Sequence, residues 1–107
     1  MTKQTTEQVE ILRDTLAKKF DAKQIIIFGS YAYGKAAGDS DIDLCIITDL
    51  KNRRKIELIR EIRRTLIDLI SSPLDILVYN EDEFVERARL KNTLEHKILN
   101  DGIKVYG

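Results

Sequence analysis

Apolar residues early in the chain fall at Val9, Leu12, Leu16 and Phe20. That three-to-four spacing places one stripe on an α-helix. Thr5-Thr6-Glu7-Gln8 just before it has the form of a capping box, which predicts the helix start. The period then changes. Residues 24–28 are glutamine followed by three isoleucines and a phenylalanine, a strand composition. Gly29-Ser30 turns the chain into a predicted short helix ending near Gly34, and Lys35 to Ser40, with Gly38 and Asp39, reads as a loop. Asp41 to Thr48 alternates as a second strand, with Ile42, Leu44 and Ile46 on one face and Asp41, Asp43, Cys45 and Ile47 on the other. Polar residues begin the second face and apolar ones finish it, which predicts a solvent-open end.

Asn52 to Ile70 reads as a long helix, with Ile56, Ile59, Ile62, Leu66, Leu69 and Ile70 inward and Arg53, Arg54, Arg60, Arg63 and Arg64 mostly off that stripe. Ser71-Ser72-Pro73 ends it. Leu74 to Tyr79 is a third strand. Asn80-Glu81-Asp82-Glu83 and Asn92-Thr93-Leu94-Glu95 carry capping signals for two C-terminal helices. Gly102 is placed as a C-cap, and Ile103 to Tyr106 as an edge strand. The fold class is mixed α/β (α+β): a small mixed sheet flanked by helices. Residues 1–107 are expected to form one domain.

Composition narrows the function. Eighteen basic and eighteen acidic residues give a formal charge of zero, which disfavours a protein whose main task is gripping nucleic acid. The single cysteine, Cys45, excludes an internal disulfide and reads as a buried small hydrophobe. Thr2-Lys3-Gln4 has no apolar signal core behind it, and no run is long enough to span a bilayer. The expected location is the cytoplasm.

The chemistry lies in Gly29-Ser30 and, ten residues later, Asp41-Ile42-Asp43. A nucleoside triphosphate arrives with magnesium and many negative charges. Gly29 lets backbone amides approach phosphate oxygens, and the Ser30 hydroxyl can donate to one. Magnesium takes hard oxygen ligands. Asp41 and Asp43 lie on one strand face with Cα atoms roughly 6.5–7 Å apart, close enough to converge on one ion or bridge two. Asp75, near the start of an apolar strand, is the natural third ligand, because a carboxylate there is costly unless paired or metal-bound. It is also placed to take a proton from an attacking hydroxyl. Gly-Ser and Asp-x-Asp at one fixed spacing arise by accident in on the order of one chain in a thousand of this length, so the pair is more than a turn followed by solvated acids.

Gly29-Ser30 and the run Ser40-Asp41-Ile42-Asp43-Leu44 resemble the signature of the minimal nucleotidyltransferases, small members of the DNA polymerase β-like superfamily. Element order and length match as well. The resemblance implies nucleotide binding by Gly29, Ser30 and Ser40, and coordination of Mg²⁺, two ions, by Asp41, Asp43 and Asp75. Many members are antitoxins paired with a helical HEPN-domain ribonuclease. They are similar to enzymes that move AMP from ATP onto a tyrosine of that toxin. The HEPN partner and the acceptor are implied by the resemblance alone. One departure stands out: many relatives carry arginine after the Gly-Ser pair, where this chain has Tyr31 and then Tyr33.

Other candidates read as structural. His96, the only histidine, has charged neighbours and is placed on a helix surface. The arginines of the long helix form a solvated face or meet an acidic partner. Tyr79 and Tyr106 are placed at strand ends with wet hydroxyls. Two other functions compete with protein adenylylation. One is a non-catalytic module that masks its partner; the other is nucleotidyl transfer to a small molecule.

Overall fold

The computed structural model describes residues 3–29, 32 and 41–107, with side chains from residue 6 onward. Its elements run α1 (Lys3–Lys19), β1 (Gln24–Phe28), β2 (Ile42–Ile47), α2 (Lys55–Leu66), β3 (Leu74–Tyr79), α3 (Glu81–Ala88), α4 (Leu94–Asp101) and β4 (Ile103–Tyr106). The expected short helix after Gly29-Ser30 and the loop from Lys35 to Ser40 lie outside the described residues.

The four strands form one sheet in the order β3-β2-β1-β4. β1 pairs antiparallel with β2 and β4, while β2 and β3 run parallel. Ile25, Ile27, Ile42, Leu44, Ile46, Ile76 and Val78 pack on one face beneath α1 and α2. Ile26, Phe28, Cys45, Ile47, Leu77 and Tyr79 face the other way, toward Phe84 and Ala88 of α3 and Ile98 of α4. Helices on both faces explain why β1 reads as an unbroken apolar run: its residues are buried whichever way they point.

Three boundaries depart from the sequence reading. α1 starts at Lys3, before the expected capping box. Gln8 does not close that box. It is buried, and its Oε1 accepts from the backbone N–H of Ser71 at 2.9 Å and of Ser72 at 3.1 Å. α1 is thereby tied to the turn that leads into β3. α2 is shorter than expected. Lys51 and Asn52 both have positive φ, 49° and 68°, and consecutive left-handed residues cannot belong to a right-handed helix. Its inward stripe is Leu58, Ile62 and Leu66. Ile56 and Leu69, expected inside, are exposed. So many isoleucines and leucines crowd this segment that two stripes fit the period, and only packing against the sheet selects one.

The C-terminal half follows the reading more closely. Thr93 caps α4, its hydroxyl accepting from the His96 N–H at 3.1 Å. Asn80 precedes α3 without capping it; its Oδ1 accepts instead from the Leu50 N–H at 3.0 Å. Gly102 follows α4 with φ −72° rather than a left-handed value. Glycine is needed there for space, since a Cβ would lie 2.5 Å from the Ile98 carbonyl oxygen and 2.6 Å from Ile26 Cγ2. Tyr79 is buried rather than wet. Its ring lies 5.4 Å from Phe84, and burial pushes its hydroxyl up to about 12.

The register of α2 makes a direct test. Leu58→Ala, at a residue 3% exposed, is expected to cost about 2–5 kcal/mol in urea unfolding. Ile56→Ala, at a residue 44% exposed, should stay within about 0.5 kcal/mol of the parent. Equal losses would place the helix in the other register.

Candidate active site

Parallel pairing puts two of the expected acids side by side. Asp43 of β2 is aligned with Asp75 of β3. Aligned residues on neighbouring strands share a sheet face, with Cα atoms about 4.8 Å apart. Asp41 lies two residues before Asp43, so alternation carries it toward that same face. It is the face that carries α3 and α4. Those helices pack on Cys45, Ile47 and Tyr79, farther along the strands. The end that bears the acids lies beyond these helices: Asp41 and Asp75 are exposed and Asp43 is half-buried.

The carboxylates feel one another. The Asp43 carboxyl is held above its ordinary 3.8, first by burial, then by the negative charge of Asp75 and then by that of Asp41. Among the described residues no three acidic, histidine or cysteine side chains close into a ligand cage. The trio therefore shares a field rather than a single point. Its donors are hard oxygens, the set that suits magnesium. Cys45 shares the face, but its thiol is fully buried and pushed up to about 12, chiefly by burial and then by Glu95. It stays protonated and offers no thiolate ligand.

Gly29 closes the other side. It follows Phe28, the β1 residue paired with Asp43. Its φ is +72°, in the left-handed region. A Cβ at this position would overlap Oδ2 of Asp43 and lie 2.9 Å from its carboxyl carbon. Glycine meets both constraints without displacing the Asp43 side chain, and its backbone thereby lies close against the carboxylate. Ser30, Ser40, Tyr31, Tyr33 and Lys35 lie outside the described residues.

His96 stays apart from the acids and has a structural role. Its Nδ1 is 2.8 Å from the Ala88 carbonyl oxygen and its Nε2 is 3.0 Å from Asn100 Nδ2. It is half-buried, deeper than the surface position expected. The burial of Glu95, read from sequence only as part of a capping signal, was not foreseen. The side chain is buried, with Oε1 3.4 Å from Arg87 Nη1. Its spacing of three from Ile98 was the available signal, since that spacing sets both on the inner face of α4.

The family model described as the nucleotidyltransferase domain matches residues 9–100. A protein from Sulfolobus solfataricus, described as a candidate nucleotidyltransferase, superposes with a TM-score of 0.59 at 21% identity, over 97% of this chain and 87% of that one. A second structure, described as a toxin–antitoxin with AMP-PNP, superposes with a TM-score of 0.51 at 23% identity, over 99% of this chain and 74% of that one. At these identities the likeness establishes the fold. No curated protein matches the chain.

The like-charge crowding has a pH signature. A carboxyl with a raised folded-state pKa favours the fold while protonated, and that contribution is lost as pH rises through the raised value. At neutral pH in metal-free buffer, the ionised Asp43 is therefore a net burden on the fold. Asp43→Asn is expected to melt at a higher temperature than the parent at pH 7. The gap should narrow as pH falls toward the ordinary 3.8. A variant that melts lower at pH 7, or a gap constant with pH, would contradict the assigned crowding.

Proposed function

The chain belongs to the nucleotidyltransferase domain family, and we propose that it transfers AMP from ATP to a hydroxyl of a partner toxin, acting as the antitoxin. The observation that carries this reading is the contact of Gly29 with the carboxylate of Asp43, itself in register with Asp75. A glycine corner against paired acids is what a metal-bound triphosphate requires of a protein. The toxin setting is supported by the neighbour described as a toxin–antitoxin with AMP-PNP. The resemblance noted above adds a HEPN-domain partner and a tyrosine acceptor.

In this scheme Asp41, Asp43 and Asp75 hold Mg²⁺. The cation, when bound, neutralises phosphate charge and stabilises the attacking and leaving oxygens. Gly29 brings its backbone against the phosphates, where a side chain would block approach. Ser30 and Ser40 are proposed to donate to phosphate oxygens. Asp75 is open to an incoming hydroxyl, being exposed on an edge strand of the sheet. It takes the proton as that oxygen attacks the α-phosphorus in line, and pyrophosphate leaves. The buried Cys45 thiol on the same face suits the reducing cytoplasm we assign to the protein. Among the described residues no helix is long and apolar enough to cross a membrane.

The test is labelled ATP with magnesium and a co-encoded helical protein, followed by mass analysis for added AMP. Label is expected on a tyrosine of the partner. Chelation of the metal should remove it. Asp41→Asn with Asp43→Asn should lower it at least about 100-fold, since several kcal/mol of charge stabilisation are withdrawn. An unlabelled partner, with ATP bound, counts against transfer. Full protection of the partner by the double variant would indicate masking instead.

A further inference from the structure

α2 carries a feature that the nucleotide chemistry leaves unused. Ile56, Arg60, Arg63, Arg64 and Ile67 follow one another at spacings of three, four and seven, which makes a continuous strip. All five are exposed, Ile67 at 73%. Glu57, Glu61 and Asp68 fall to one flank, and Glu61 is engaged by Arg53 at 2.6 Å. Arg60 and Arg64 meet no carboxylate among the described residues. Arg60, Arg63 and Arg64 thus supply the strip's positive charge beside that acidic flank.

The strip runs into a groove of about 340 Å³, lined in part by Arg63, Ile67, Ile70, Pro73 and Leu74. Arg63 Nη1 donates to the Leu74 carbonyl oxygen at 2.9 Å. Leu74 opens β3, and the next residue is Asp75. By alternation Leu74 faces the α1–α2 layer and Asp75 the opposite side. Groove and carboxylate thus sit at one level, on either side of the β3 edge. Arginine beside exposed aliphatic carbon is the mixture that protein interfaces favour.

We propose that this strip and groove seat the acceptor polypeptide, through a segment that combines acidic and apolar side chains and passes its hydroxyl over the β3 edge to Asp75. The proposal rests on the transferase reading above and adds the chemistry of the acceptor. Arg60 and Arg64 pair with the acidic groups, Ile67 and the groove take the apolar ones, and the outer side of β3 leaves the path open.

The full chain is titrated against a fluorescent tyrosine peptide of alternating glutamate and leucine, its lysine-for-glutamate counterpart, and a short single-stranded RNA. The acidic peptide should bind, and bind less well as salt rises past about 0.15 M. Arg60→Glu with Arg64→Glu should weaken it about tenfold or more, as should Ile67→Asp. Lys18→Glu with Lys19→Glu, at the far end of α1, should leave it unchanged. No binding, equal affinity across the variants, or preference for the lysine peptide or the RNA would overturn the proposal. Magnesium-ATP binding is measured on the same samples. If it is missing while the peptide still binds through the strip, the transferase reading fails and the docking surface stands.

Discussion

Two carboxylates that repel each other are fixed as neighbours by the hydrogen-bonded register of β2 and β3, and much else about the molecule follows from that constraint. The register is not free to slip. A one-residue slip of β3 against β2 would turn Ile76 and Val78 out of the layer they share with Ile42, Leu44 and Ile46 under α1 and α2. The apolar core therefore supplies the energy that keeps Asp43 beside Asp75. The repulsion is small beside the burial of those side chains, so the fold absorbs it and keeps the negative charges together.

The two sheet faces divide the work. One is sealed along its length by α1 and α2. The other is covered by α3 and α4 over Ile26, Phe28, Cys45, Ile47, Leu77 and Tyr79, and among the described residues Asp43 and Asp75 lie at its more open end. The turn before β3 is held from a distance. Gln8 of α1 accepts from the Ser71 and Ser72 amides, and the Ile42 amide donates to the Pro73 carbonyl at 2.9 Å. The level of Asp75 is thus set by α1, the turn and β2 together.

The strands and the acids were legible because their signals are local. Alternation in Asp41 to Thr48 put Asp41 and Asp43 on a common face, whereas the apolar run around Asp75 suggested a costly, enclosed carboxylate and the residue is exposed. That β2 and β3 lie adjacent and in parallel was the missing step, since pairing is a tertiary fact. Helix details were harder. Ile56 and Leu69 were placed inside because α2 has more apolar residues than its inner face can use. Gln8 and Asn80 looked like caps by composition, yet each satisfies a backbone amide far along the chain. Gly102 does cap α4 as expected, though the space that demands glycine is set by Ile26 and Ile98 rather than by a left-handed backbone. In each case the deciding contact is one that sequence spacing does not encode.

The meeting of Gly29 with Asp43 has an evolutionary corollary. A side chain at position 29 is excluded by the carboxylate opposite as well as by backbone angle, so the steric part of its cost depends on what occupies position 43. Positions in such contact do not vary independently. In a lineage that had lost the acid, drift at the corner would meet one barrier fewer. Within this fold, a side chain at the corner would thus imply a smaller or displaced residue opposite it, so the two positions are to be read as a pair.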